Sequence, residues 1–391
     1  MPLKPPGNTE GGPPSFPWQR HSLSPPMQIA QRAILVCAGG FALAAGKDAP
    51  LRNGSFSIPE LVLPLKKNTL PHSLHKRHAK MESMLPRRIP RFRRATDVAP
   101  MQFTNRDREI VRQVFRHRFL RSPQIAALVG GSRQSVLRRL QLLYHHGYLE
   151  RPRAQIEYYQ QGGSRVLVYG LGDRAAELLR AAEGEASVQE WGTKNRTLKR
   201  LFIEHALLVS DTMVALEIAC QRHGRVRLLH VEDIVSPDNP HTRHRPFGWK
   251  VNLNGGAKVG LIPDRVFALE FLDRPIGRPR AYFFLEADRA TMPVVRNHLR
   301  QTSFQRKLLA YEATWTQELH RRHFGFHRFR VLTVATSTER LAHLVKACNQ
   351  LERGHGLFLF TDTNSLAAHT DALSLPWQSV KSDQTCRLID G

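Results

Sequence analysis

"LIPDRVFALEFLDRPIGRPRAYFFLEAD", residues 261–288, reads as two apolar strands joined by a short turn rich in Pro, Gly and Arg. The first strand opens on Pro263-Asp264 and the second closes on Glu286-Ala287-Asp288. Side chains alternate along a strand, so Glu286 and Asp288 share a face and Ala287 points away. A hairpin sets the start of one strand beside the end of the next, which brings Asp264 to Glu286. Carboxylates placed in this way suit a hard divalent cation, Mg²⁺ or Mn²⁺, which takes oxygen ligands and can activate water against a phosphodiester. Glu204, in the helical stretch before the hairpin, supplies a fourth carboxylate. Carboxylates at strand ends commonly just face water, so the order of elements carries the reading: helix with Glu, strand, strand with Asp, turn, strand with Glu-x-Asp, helix.

Around the hairpin, helical and extended patterns alternate. "TLKRLFIEHALLVSDTMVALEIACQRHG" is a long amphipathic helix and "RVRLLHVEDIV" a strand, and residues 236–256 read as a polar, Pro/Gly-rich loop. After the hairpin come a long helix from Pro293 to His323, a strand "FRVLTVAT", a helix "STERLAHLVKACNQ" and a strand "GLFLFTDT". Strands and helices alternating in this way predict a mixed α/β sheet (α+β overall) with helices on both faces. This domain is expected over residues 196–363, with 364–391 as a C-terminal tail.

Residues 104–182 predict a separate module. "TNRDREIVRQVFRHRFL" is a helix capped by Thr104 or Asn105, with Ile110, Val111, Val114 and Phe115 on one face. "SPQIAALVGG" is a short helix with Pro123 in its first turn and a Gly-Gly stop. "SRQSVLRRLQLLYHHG" is a third helix, capped by Ser132, with Val136, Leu137, Leu140 and Leu143 as its buried stripe. A hairpin follows, "YLERPRAQIEYY" and "SRVLVYGL" about a "QQGG" turn, and "GDRAAELLRAAEGEA" closes the module as a helix. Three short helices and a hairpin are the plan of a winged helix-turn-helix, whose third helix enters the major groove of double-stranded DNA. That helix would present Arg133, Gln134, Ser135, Arg138 and Arg139, the side-chain types that read base edges. Arg151, Arg153 and Arg165 on the wing would touch phosphate. Trihelical cores also serve as protein-docking modules; the turn glycines and the arginines together favour DNA.

The charge agrees. The chain has 391 residues and a formal net charge of +25, from 58 Lys and Arg against 33 Asp and Glu. Residues 1–100 contain 15 Lys/Arg and 5 Asp/Glu, leaving +15 for the rest. A polyanion is the natural partner of such a surface. Residues 1–98, rich in Pro, Ser and Arg, read as a disordered basic arm. Their apolar run at 33–46 is too short and too Gly-rich to span a bilayer, so no membrane partner is expected. Four dispersed cysteines form no Cys-x-x-Cys pair, which fits a reducing cytoplasm and speaks against a zinc knuckle.

The segment 104–182 and the stretches "IEHALLVSD" (203–211), "IPDRVFAL" (262–269), "FFLEADRAT" (283–291) and "KLLAYEATW" (307–315) resemble the replication-relaxation family of mobile-element proteins. The resemblance covers about residues 104–361. It implies a winged helix followed by a domain similar to the PD-(D/E)xK restriction-endonuclease fold, and work on DNA as an accessory to replication, relaxation or mobilisation of a plasmid or integrative element. A relaxase, a replication initiator or a second copy of the chain would be the protein partner. The catalytic set implied is Asp264, Glu286, Asp288 and Lys307, and the metal set adds Glu204 to the three carboxylates. One departure stands out. The endonuclease pattern has Lys two residues after the Glu, where this chain has Asp288. Lys307 on the following helix is the candidate for a migrated lysine, with Tyr311 one turn further on, while Arg289 points to the other face. An acidic residue in the lysine position removes a stabiliser of transition-state charge. The expected function is therefore a DNA-binding accessory protein with a degenerate nuclease-like domain. An active Mg²⁺-dependent DNA endonuclease and a winged-helix transcriptional regulator remain open as alternatives.

Overall fold

A computed structural model describes residues 91–158, 166–183, 191–236, 238–242, 247–253, 256–274, 279–298, 301–380 and 385–390. The basic arm up to residue 90, the Gln-Gln-Gly-Gly turn and Arg165 lie outside these residues.

The order of the first lobe is α1 (Asn105–His117), β1 (Phe119–Arg121), α2 (Ser122–Val129), α3 (Arg133–His145), β2 (Leu149–Glu150) and β3 (Val168–Leu171). Thr104 caps α1 in a reciprocal box with Asp107, and the Ser132 hydroxyl accepts from the Ser135 amide to start α3. Ile110, Val114, Ile125, Leu128, Val136, Leu140 and Leu143 meet in one core. Leu137, expected in the buried stripe of α3, is 38% exposed and lies on the outer face. The three strands form an antiparallel sheet in the order β1-β3-β2.

The predicted long hairpin is only partly present. β2 stops after Glu150, and Arg153–Tyr158 form a 3₁₀-helix. Pro152 has no N–H to give a ladder, so the strand cannot continue through it. Gln155 takes over: its amide donates to the Val168 carbonyl at 3.0 Å and accepts from the Val168 N–H at 2.8 Å.

After α4 (Asp173–Glu183) and α5 (Trp191–Thr197) comes α6 (Arg200–His223), the longest helix among the described residues. It leads into β4 (Val226–His230), the one-turn helix α7 (Val231–Ile234), β5 (Trp249–Asn252), β6 (Lys258–Leu261), β7 (Arg265–Phe271) and β8 (Arg280–Asp288). Then follow α8 (Phe304–Thr316), α9 (Leu319–Arg322), β9 (Phe329–Ala335), α10 (Thr338–Asn349), β10 (Phe358–Asp362), α11 (Thr363–Ala368), β11 (Trp377–Ser379) and β12 (Thr385–Cys386).

Seven strands form one mixed sheet in the order β12-β11-β10-β9-β8-β7-β4. The β8-β9 and β9-β10 pairs are parallel and the others antiparallel. The parallel steps follow from the helices α8 and α10, which carry the chain back across the sheet before each new strand. Side chains of β7 and β8 alternate between two cores. Val266 and Phe284 pack with Phe304, Leu308 and Tyr311 of α8, whereas Phe267, Phe283 and Leu285 pack with Leu208, Met213 and Leu216 of α6. The sheet thus has helices on both faces, as the sequence predicts.

Three further expectations change. The polar loop 236–256 contains β5, which pairs with β6 as a separate two-stranded sheet whose buried and exposed residues alternate. The helix expected from Pro293 begins only at Phe304, where Ser303 caps it and the carbonyls of Pro293 and Val294 accept the first two amides at 3.0 and 2.8 Å. Within 364–391, expected as a tail, the described residues pack: β11 and β12 extend the sheet, and Leu373, Leu375 and Trp377 are fully buried. At α9, His320 is buried against Trp315, and His323 stacks on His241 at 3.8 Å.

α6 serves both lobes. Val214 joins the core of the first lobe while Met213 and Leu216 join the core under the sheet. Its Glu217 accepts from His117 Nε2 at 3.0 Å and from Gln113 at 3.3 Å, and Asp211 holds Arg121 and Gln124. No helix among the described residues is long and apolar enough to cross a membrane.

Candidate functional site

β7 and β8 run antiparallel with Arg265 opposite Leu285, so Asp264 and Glu286 leave the sheet at the same end. The Asp264 amide donates to the Leu285 carbonyl at 3.0 Å, and its Oδ2 accepts from the Ala287 amide at 2.8 Å. Its Oδ1 accepts from His205 Nε2 of α6 at 3.0 Å. Glu286 is 2% exposed. Its Oε2 accepts from Lys307 Nζ at 2.5 Å and its Oε1 from the Tyr311 hydroxyl at 2.6 Å, both on α8.

The charges shape one another. Burial pushes the Glu286 carboxyl up to about 7 against the pull of Lys307. Burial works in the same direction on Asp264, but the bond from His205 and the charge of Lys307 outweigh it and hold that carboxyl below its usual range. Burial tends to lower Lys307, yet Glu286 and Asp264 hold it above its usual range. The bond to Asp264 likewise holds His205 up.

Asp264, Glu286 and Lys307 are therefore brought together, with Tyr311, as the sequence predicts. Asp288 shares the Glu286 face, but its partner is different. Arg340, in the first turn of α10, grips both carboxylate oxygens at 2.7 and 2.9 Å and also donates to the Met292 carbonyl at 2.6 Å. Glu204 is held by Arg200 and by Arg289, which also donates to the Leu201 carbonyl. His205 and Arg340 are the site residues that sequence reasoning missed. His205 stands beside Glu204 in the "IEHALLVSD" stretch and faces Asp264 across the fold. Nothing local marks Arg340, which lies 52 residues from its partner.

Mg²⁺ or Mn²⁺ fits this arrangement poorly. Both oxygens of Asp264, Glu286 and Asp288 already accept bonds from the protein. The four carboxylates, Glu204 included, face four permanent cations, Arg200, Arg289, Lys307 and Arg340, with His205 as a fifth basic group. Without a surplus of negative charge little draws a dication in. Among the described residues no group of three or more His, Cys, Asp and Glu side chains is arranged to hold a metal ion.

On α3, Arg133, Gln134, Ser135 and Arg138 are exposed, and among the described residues no ion pair engages either arginine. Arg139, expected beside them, is turned inward: it pairs with the fully buried Asp107 and donates to the Gln102 carbonyl at 2.9 Å. A buried carboxylate needs that cation, which outweighs any use of it at the surface. Arg151, expected on the wing, is buried too: its guanidinium lies 4.0 Å from the centre of the Tyr144 ring and donates to the Arg91 carbonyl and the Tyr169 hydroxyl. Arg153 is exposed at the start of the 3₁₀-helix.

The family model described as replication-relaxation matches residues 111–328, more than half of the chain. The match begins within α1 and takes in the other helices of the first lobe, α6, the hairpin and Lys307. No curated protein matches the chain, and no solved structure does.

Proposed function

The chain belongs to the replication-relaxation family, and from that premise we propose that it is a DNA-binding accessory protein in the replication, relaxation or mobilisation of a plasmid or integrative element. In this reading the first lobe is a winged helix-turn-helix that recognises a double-stranded site through α3. The second lobe is a nuclease-like domain that does not cut. It contributes to DNA contact or docks the relaxase or initiator acting at the same site.

The observation that carries the reading is the outer face of α3. Arg133, Gln134 and Arg138 stand exposed there while Arg139, one residue on, is held by Asp107. A solvated helix surface has no need of so many basic groups without acidic partners. Guanidinium and amide groups pair with guanine and adenine edges in the major groove. The net charge of +25 supplies the sequence-independent part of the attraction.

The test is footprinting and affinity measurement on element DNA, in EDTA. Arg133→Ala and Arg138→Ala are each expected to weaken binding to the recognised site by about 1–3 kcal/mol and to relax its sequence preference. Arg139→Ala is expected to act differently. It lowers fold stability by about 1–3 kcal/mol, because Asp107 is left buried without its cation, and it leaves the footprint of the folded protein unchanged. Footprints that survive both outer-face variants sink α3 as the reader.

The endonuclease reading draws on one observation, Lys307 beside Glu286 and Asp264. Supercoiled plasmid incubated with the protein in Mg²⁺, Mn²⁺ or EDTA separates the two. Retention without cleavage in all three supports the accessory role, and metal-dependent nicking supports the enzyme.

A further inference from the structure

We infer that the carboxylate pocket is closed to divalent cations by the chain's own cations, and that it acts as an ion-pair clamp fastening α6, the β7-β8 hairpin, α8 and α10. The inference rests on the non-cutting reading of the second lobe and deepens it.

Each carboxylate there belongs to a pair that joins two elements. Asp264, just before β7, meets His205 of α6. Glu286 of β8 meets Lys307 and Tyr311 of α8. Asp288 of β8 meets Arg340 of α10. Glu204 of α6 meets Arg289, which directly follows β8. The pairs share one end of the sheet, where parallel and antiparallel neighbours of β8 both terminate.

The pocket is inverted at one position relative to the pattern it resembles. The residue two after Glu286 is acidic instead of basic, and a basic residue arrives to meet it from a different helix. Arg340 does so with both nitrogens of its fork, the geometry in which a guanidinium binds a carboxylate most firmly. The acid at 288 is therefore matched by an arginine at 340, which leaves no net negative charge added by Asp288. A dication approaching Glu286 would have to displace Lys307, whose side chain is 27% exposed, and strand that ammonium beside the incoming metal. Like charges at such range repel strongly in a partly buried setting.

The clamp has a function the accessory role needs. α6 is the wall of both lobes, so tying its first turns to the end of the sheet fixes where the first lobe stands relative to the second.

The experiment uses the full chain, stripped with EDTA, and Mn²⁺ as probe. Bound Mn²⁺ is read by loss of the free-ion paramagnetic resonance signal, in the wild type, Asp264→Asn, and Lys307→Met, which keeps the apolar stem of the lysine. The wild type and Asp264→Asn are expected to take up Mn²⁺ alike. Lys307→Met, with Asp264 and Glu286 released from their ammonium, is expected to gain a site about tenfold or more tighter than any in the wild type, the size of one lost repulsion of about 1.4 kcal/mol. Saturable uptake by the wild type that Asp264→Asn abolishes overturns the inference. A folded Lys307→Met chain that gains nothing overturns it as well, because the exclusion then does not come from Lys307. If that variant fails to fold, the wild type against Asp264→Asn still decides. DNA binding measured on the same preparations in EDTA is a separate readout: its loss sinks the DNA reading and leaves the Mn²⁺ result standing, and the converse holds.

Discussion

At the scale of single residues, Glu286 and His117 make opposite demands on pH. Burial holds the Glu286 carboxyl at about 7 where the unfolded chain has its usual value of 4.5. As pH rises from 4.5 to 7 the unfolded chain loses a proton that the folded chain keeps, so this residue lowers stability with rising pH by about 1.4 kcal/mol per unit. Burial lowers His117 to about 4 from 6.5. As pH falls from 6.5 to 4 the unfolded chain gains a proton that the folded chain refuses, so this residue lowers stability with falling pH by about the same slope. The two nearly offset between pH 5 and 6.5 and are separable by mutation. Lys307, raised from 10.5, works only at alkaline pH, and His205, raised from 6.5, stabilises the fold below 6.5 and loses that contribution as pH rises through its folded value. Urea unfolding across pH 5 to 6.5 is therefore expected to shift against the wild type in opposite senses. Glu286→Gln gives a more positive slope of stability with pH and His117→Gln a less positive one. Both keep a hydrogen-bonding side chain in place, and curves parallel to the wild type would show that both groups titrate in the folded chain as they do in the unfolded one. The sequence makes Glu286 visible through its place at a strand end, but His117 lies on a helix of basic residues, and its burial depends on α6 arriving one hundred residues later.

At the scale of elements, what was legible tracks how local the determining signal is. Thr104, Ser132 and their apolar stripes announce α1 and α3, because a cap and a period of 3.6 lie within one helix. β7 and β8 are legible because each is a largely apolar strand of seven or nine residues, with Asp264 just before the first and Glu286 and Asp288 at the end of the second. β5 and β6 have the right alternation, but each is four residues long inside a Pro/Gly-rich stretch. The helix expected from Pro293 loses residues 293–303, because Ser303, a cap hidden in the middle of the predicted element, starts it at Phe304. The site divides in the same way: the Asp264–Glu286 pairing follows from hairpin geometry, whereas His205 and Arg340 are recruited by tertiary structure. The β2-β3 hairpin, expected as a wing, shows the same limit, because Pro152 ends the strand and a side chain completes it. Gln155→Ala is expected to destabilise the first lobe by about 1–3 kcal/mol, since both polar groups of Val168 lose their partner in a buried place. Hydrogen exchange of the Val168 amide is the check: protection equal to the wild type would mean another group takes the bond.

At the scale of the whole molecule, α6 decides whether the lobes are separable. A boundary drawn near residue 182 treats the first lobe as a module that folds alone. Its core, however, includes Val214, with Ile218 packed against it, and both come from α6. His117 and Gln113 donate to Glu217, Arg121 and Gln124 bond Asp211, and the Ser210 hydroxyl donates to the His117 carbonyl at 3.0 Å. Removing α6 would uncover those apolar side chains and take from His117 and Gln113 their bonds to Glu217, a combination of lost packing and lost polar partners that cores tolerate poorly. The other face of α6 carries the sheet through Leu208, Met213 and Leu216. One helix bearing two cores ties their stabilities together, so the described lobes are expected to unfold as one cooperative unit. Hydrogen exchange in urea, followed separately for α3 and β9, should give a single shared midpoint, and Val214→Ala, which cuts only the first core, should lower both equally. A fragment ending at residue 183 is expected to be unfolded or molten and to lack the DNA binding proposed for the full chain, while one extended through His223 regains secondary structure. A fragment 91–183 that folds and footprints like the full chain would show that α6 only leans on the first lobe, and the geometry that the proposed ion-pair clamp holds would then have no bearing on the DNA contact proposed for α3.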